Sequence, residues 1–279
     1  MQGRILTHPA LARRRFEEIA RLAEGELDLI EASLVIALED QPGLDIDRYL
    51  EQVGAWSDAV QQRLRGSRDV DRIIQSINRL LFDEEGFHGE DDDYYDPRSA
   101  LVSAMLDRHA GIPITLSILY IELTRRVGAE AAGVSLPGRF LVKVGDVVID
   151  PYDGGRVLSV AELQKILDSM YGGGVRLREH HLQSFPRRKI LMRELAHLKA
   201  AYLAHHDLPH AAASIDRLLI LDERDAYEVR DRAALAMQMH AYMLAIECLE
   251  RYLELMPHAD DRNVVREQIA YLRAWMAQN

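Results

Sequence analysis

The chain has 279 residues and a formal net charge of −11. That length holds one large or two ordinary domains, and the acidic balance opposes non-specific attraction to DNA, RNA or an anionic membrane, while leaving room for a local basic patch. Hydrophobic residues make up 48% of the chain, which argues against a disordered polymer, and the single cysteine, Cys248, excludes an internal disulfide and fits a reducing compartment.

The N-terminus, MQGRILTHPALARRRF, lacks the apolar run of a secretory signal, and no stretch reaches the ~20 apolar residues of a membrane span. The expectation is a cytoplasmic protein that meets neither nucleic acid nor membrane. Four helices are predicted first. Residues 10–24 place Leu11, Ile19 and Leu22 on a mixed face, with Arg13, Arg14 and Arg15 solvated. Glu26 to Glu39 sets Leu27, Ile30, Leu34 and Leu38 at spacings of three and four, widened by Val35, and Pro42-Gly43 ends it. Asp45 to Leu64 lines up Tyr49, Val53, Trp56, Val60 and Leu64, and a fourth helix from Asp69 carries Ile73, Ile74, Ile77, Leu80 and Leu81. None has a catalytic signature, so they read as a supporting layer.

Phe82–Pro97, FDEEGFHGEDDDYYDP, is a long acidic connection. A calcium loop would need acids on alternate positions and a glutamate at the twelfth, which three consecutive aspartates do not supply. The functional alternative is a lid or recognition loop anchored by Tyr94 and Tyr95. A further helix follows from Asp96-Pro97 or Ser99, with Leu101, Met105 and Leu106 inward.

Gly111 to Gly155 is the stretch around which the chain is organised. Pro113 suits the first position of a helix, because its missing N–H would find no intrahelical partner there. Leu116, Leu119, Tyr120 and Leu123 continue the helical period, and Gly128 supplies the stop after Arg125-Arg126. Phe140, Val142 and Val144 then alternate with Leu141 and Lys143, Gly145-Asp146 makes a two-residue turn, and Val147-Val148-Ile149 returns as a hairpin. Ser159 with Glu162 forms a capping box for the next helix, and Gly172-Gly173-Gly174 ends that helix without the Gly-Lys-Ser/Thr ending of a phosphate loop. His180 and His181 lack an acid or cysteine partner at ligand spacing, so no metal is expected. Residues 172–187 read as the domain junction.

From Ile190 to Trp275 the chain is helical and repetitive. HAAASIDRLLIL aligns with LAIECLERYLEL, so that Ala211 and Ala245, Arg217 and Arg251, and Leu221 and Leu255 each lie 34 residues apart, the tetratricopeptide period. Cys248 reads as a small core residue of this region. Two units are too few for an independent array, and stacked helix pairs offer a face for a peptide or helix, so bracing and partner binding are both open.

A helix packed on a hairpin with Asp150 at the end of the second strand resembles the papain-like thiol enzymes and, at GIPITLS, LPGRFLV and IDPYDGG, the transglutaminase core. With GFHGEDDDYYDP upstream and the repeats downstream, the chain more closely resembles the bacterial SirB-type family, a transglutaminase-like domain followed by tetratricopeptide-like helices. The resemblance implies an α+β fold, with a helix-plus-antiparallel-sheet domain over 1–175 and an all-α repeat domain over 188–279. It also implies a triad of Cys, His and Asp, and here Pro113 holds the cysteine's place, Arg139 the histidine's, and only Asp150 remains. Proline has no nucleophile and arginine is no base near neutral pH. The expected function is therefore a non-catalytic scaffold or regulator that binds an unidentified protein or peptide without cofactor or metal. Candidate binding residues are Thr115, Arg139, Asp150, Tyr152, Arg230 and Arg232, the last two in a stretch where the family often shows ExRDR and this chain has Glu228-Val229-Arg230-Asp231-Arg232. Asp150 is expected to cap or pair, with Arg139 as a candidate partner. The alternative is a hydrolase or acyltransferase acting on peptide or amide substrates through Thr115 or Ser117.

Overall fold

The computed structural model of the chain describes residues 9–90 and 96–278. It divides into two compact units, Met1–Glu194 and Leu195–Asn279.

The first unit opens with α1 (Pro9–Ala20), α2 (Leu29–Asp40), α3 (Ile46–Leu64) and α4 (Val70–Asn78). Asp28, Asp45 and Asp69 cap the last three by accepting from the backbone N–H of Glu31, Arg48 and Arg72. The caps explain why α2 begins at Leu29 and not at Glu26. The predicted stripe understates α2, which buries every side chain from Ile30 to Leu38 except Glu31, because it is surrounded on all sides. Beyond α4 the backbone continues as a π-helical turn, Arg79–Glu84, so residues 82–84 are not loop. Trp56 on α3 meets Phe87 edge-on with ring centroids 5.5 Å apart.

Two-residue strands β1 (His88–Gly89) and β2 (Ala110–Gly111) pair in parallel, with α5 (Pro97–Ala100) and α6 (Val102–Arg108) between them in sequence. Then comes α7 (Pro113–Arg126), in which every side chain from Ile114 to Thr124 is buried. Gly128, at φ +85°, ends it as expected. Four antiparallel strands follow in the order β3 (Ala131–Leu136), β4 (Arg139–Val144), β5 (Val147–Asp150) and β6 (Arg156–Val157). The β4–β5 register pairs Val142 with Ile149 and Val144 with Val147 around the Gly145-Asp146 turn. Phe140, Leu141 and Val142 are all buried, because both sheet faces are covered. α7 packs on β4 and β3. On the other face Leu141, Val134 and Val148 cluster with Leu163 and Leu167 of α8 (Val160–Tyr171). The Ser159–Glu162 capping box is formed, and Ser159 together with Arg156 holds the Glu162 carboxyl down to about 2.

The second unit contains the rest of α9 (Arg187–Ala204), then α10 (Leu208–Leu221), α11 (Ala226–Gln238), α12 (Tyr242–Leu255) and α13 (Arg262–Gln278). The division thus falls inside α9, beyond the glycine-rich 172–187 segment. The reason lies in the first turns of α9: Glu194 accepts from the Ser33 hydroxyl at 2.6 Å, both groups being fully buried. In the repeats, Val229, Ala233, Ala245, Ile246, Leu249, Val265 and Ile269 form one core. His206 and His240, 34 residues apart, both adopt positive φ (58° and 60°) in the turns between helices, so the period extends to backbone conformation. Cys248 packs at the edge of this core, where burial raises its thiol pKa. Trp275 contacts the Tyr242 ring at 4.7 Å. Among the described residues, no helix is long and apolar enough to cross a membrane.

Candidate functional site

The candidate site lies where the start of α7 meets the ends of β4 and β5. Ile112 is the N-cap of α7 and Pro113 occupies its first turn, so this helix start has one backbone donor fewer than usual and no nucleophilic atom at position 113. Thr115 and Ser117 are fully buried. The Thr115 hydroxyl donates to the Ile112 carbonyl at 3.1 Å, and that of Ser117 to the Phe140 carbonyl at 3.5 Å. Both hydroxyls therefore serve the backbone, and neither meets a base among the described residues.

Arg139, at the start of β4, donates from Nη1 to Asp150 Oδ2 at 3.1 Å. Asp150, at the end of β5, accepts the Tyr152 backbone N–H on its other oxygen at 3.1 Å. The Asp150 side chain is 4% exposed against 42% for Arg139. Burial raises the Asp150 pKa, opposed by Arg139 and by the backbone N–H groups of Tyr152 and Asp153. Tyr152 donates its hydroxyl to the Glu90 carbonyl at 3.1 Å and covers Gly89 so closely that a β-carbon there would lie 2.7 Å from its ring. The Glu90 carboxylate is held by Arg108 at 2.7 Å and by the Ser99 hydroxyl at 2.9 Å. Tyr94, Tyr95 and Asp91 to Asp93 lie outside the described residues. Among the described residues, no histidine nitrogen contacts Thr115, Ser117 or Asp150; His109, just before β2, stacks on Phe87 and faces the Glu85 carbonyl.

Sequence reasoning missed the support behind this site. Asn78 donates to the Gly155 carbonyl at 2.7 Å and accepts from the Tyr120 hydroxyl at 2.9 Å. These partners are 77 and 42 residues away in sequence, so no local pattern could reveal them.

The Arg139–Asp150 pair predicts a pH signature. Arg139 lowers a carboxyl pKa that burial has raised, so Arg139→Ala should raise it further. A carboxylate with a raised folded-state pKa loses stability as pH climbs through that value, and nothing is lost below the unfolded value of about 4, where the group is protonated in both states. Arg139→Ala should match wild type near pH 3.5–4 in urea unfolding and fall about 1 kcal/mol behind by pH 7, discounting for the exposure of Arg139. A pH-independent difference would refute the coupling.

The repeat residues belong to the second unit. Arg230 pairs with Asp261 at 2.8 Å and lies over the Tyr252 ring at 5.5 Å, while the Tyr252 hydroxyl donates to Asp261 at 2.9 Å. Arg232 holds Asp216 through Nε at 2.6 Å and Nη2 at 3.4 Å. Both arginines thus tie helices together, and Arg230 keeps half of its side chain exposed. Arg224 is exposed, and its side chain has no partner among the described residues. No cluster of three or more His, Cys, Asp or Glu at metal-binding geometry occurs among the described residues.

Comparison with known proteins agrees with this architecture. The family model of the transglutaminase-like superfamily matches residues 47–196, and that of the tetratricopeptide repeat matches residues 198–270. A UPF0162 protein of Xylella fastidiosa (strain 9a5c) is 32% identical over 264 residues, covering 92% of this chain and 94% of its own length. The UPF0162 protein of Vibrio cholerae is 27% identical over 248 residues, covering 87% of this chain and 92% of its own. The F-box only protein 21 of Mus musculus is 29% identical over 108 residues, covering 34% of this chain and 17% of its own. The matches over both domains and nearly the whole length show that the chain belongs to the UPF0162, SirB-type family of bacterial proteins, a transglutaminase-like domain followed by tetratricopeptide repeats.

Proposed function

We propose that the protein is a non-catalytic member of the transglutaminase-like superfamily that acts in the cytoplasm by binding another protein or peptide. The observation that carries this reading is the state of the triad positions. Pro113 supplies no nucleophile, Arg139 stands where a base would be needed, and Asp150 is engaged by Arg139 and the Tyr152 N–H. Arginine there suits recognition of a carboxylate, since its planar fork stays charged and matches the two oxygens. The repeats add a recognition surface, with exposed Arg224 in the turn before α11 and exposed Tyr227 and Arg230 in its first turns.

The test has two arms. Purified protein is incubated with a fluorophosphonate and with a hydroxyl-directed acyl probe, and neither should label it. Covalent labelling abolished by Thr115→Ala would overturn the non-catalytic reading in favour of a hydrolase or acyltransferase. Affinity capture from the native cell extract should then retain a partner with wild type and lose it with Arg224→Ala or Arg139→Ala. Equal capture by all three would remove these surfaces from consideration.

A further inference from the structure

A second feature, unconnected to the triad, lies on the outer side of α3 and α4. Ala59, Gln62, Arg63 and Arg65 from the end of α3 face Arg72, Gln75, Ser76 and Arg79 across a cleft of about 660 Å³. On α4 and its π-helical continuation, positions 72, 75, 76 and 79 share one face by helical spacing. Among the described residues, the one carboxylate paired with these arginines is Glu84, which Arg63 contacts and which Arg79 holds through Nε at 2.9 Å. Four guanidinium groups against one carboxylate leave an excess of three positive charges in a chain whose formal net charge is −11.

A helix-end explanation covers only part of this. Arg63 and Arg65 sit at the C-terminus of α3, where cations are ordinarily favourable. Arg72 lies in the first turn of α4, where the helix dipole disfavours a cation, and its side chain has no partner among the described residues. Among the described residues the Arg65 side chain is unpaired as well, on a residue with φ of +48°. Arg63 Nη1 is buried and has no hydrogen-bond partner among the described residues. Like charges converging from two helices repel one another unless an anion lies between them.

We infer that this cleft binds a small molecule bearing two or more phosphate charges, with Arg65 and Arg72 as its primary contacts. Arginine forks arriving from two helices suit a tetrahedral oxyanion with several acceptor oxygens better than a planar carboxylate of single charge. Gln62, Gln75 and Ser76 add neutral donors at the rim. The Glu84 carboxylate already shows that an oxyanion fits between Arg63 and Arg79, and a phosphorylated ligand would share those two groups with it.

Isothermal titration of the full chain with inorganic pyrophosphate at low salt tests this. The expected result is one site that the double variant Arg65→Ala/Arg72→Ala weakens at least about tenfold, while Arg14→Ala on α1 combined with Arg21→Ala just beyond its end leaves it unchanged. Glu84→Gln should tighten binding several-fold by freeing Arg63 and Arg79, a gain that unfolding cannot mimic. Absence of binding, or equal binding by wild type and the Arg65/Arg72 variant, overturns the site. Citrate binding as tightly as pyrophosphate overturns the phosphate assignment. A duplex oligonucleotide that displaces pyrophosphate at lower concentration overturns the small-molecule assignment.

Discussion

Glu122→Ala should lower the stability of the first unit by about 3–5 kcal/mol in urea unfolding. Glu122 on α7 is 1% exposed. It accepts the Leu29 backbone N–H at 3.0 Å, Arg187 Nη1 at 2.9 Å and Arg125 Nη1 at 3.1 Å. The first of these satisfies an otherwise orphaned amide at the start of α2. Burial raises the Glu122 pKa, as does the nearby Asp28, and burial lowers that of the Arg187 guanidinium. Both shifts say that enclosing the pair in the interior is costly, so the pair as a whole adds little, while either half alone is strongly unfavourable. Glu122→Gln, which keeps the acceptor for Leu29, should lose less than Glu122→Ala. The double change Glu122→Gln/Arg187→Met should recover most of the loss. A single-variant loss below about 1 kcal/mol, or no recovery in the double variant, would mean that the buried charges are independent.

Gly155→Ala should cost about 3 kcal/mol or more, combining left-handed strain with overpacking. Gly155 has φ of +73°, and a β-carbon there would lie 2.2 Å from Asn78 Oδ1 and 2.5 Å from the Phe82 ring. Asn78 could relieve the clash only by releasing both the Gly155 carbonyl and the buried Tyr120 hydroxyl. Gly154 is the internal control. It has a similar φ of +60° but open space around it, so Gly154→Ala should cost only the strain, about 1–2 kcal/mol. Equal losses in the two variants, read from urea midpoints, would show that contact with Asn78 is unimportant.

Much of the scaffold is legible in the residues. Pro113 at the start of α7, Gly128 at its stop, the Gly145-Asp146 turn, the Ser159–Glu162 box and the 34-residue period each rest on local chemistry, and each is found where that chemistry places it. What escaped depends on distant partners. β3 runs through Ala131, Ala132 and Gly133, which have neither β-branching nor alternation, and it forms because β4 and α7 offer it a ladder and a cover. The two-residue strands β1 and β2 have no periodicity at all. At the candidate site the positions of Pro113, Arg139 and Asp150 followed from the motifs, whereas the Asn78–Tyr120–Gly155 tie and the arginine cleft of α3 and α4 required three-dimensional proximity. In the sequence, Arg63, Arg65, Arg72 and Arg79 look like separate solvated cations, and only the packing of two helices brings them together.

The chain's two tryptophans fall one to each unit, Trp56 beside Phe87 and Trp275 beside Tyr242. Indole emission is therefore a ready-made pair of reporters. Replacing Trp275 by phenylalanine leaves a fluorophore that watches only the transglutaminase-like half, and replacing Trp56 leaves one that watches only the repeats. Two optical melting curves from two single substitutions then tell how far the halves share one cooperative transition.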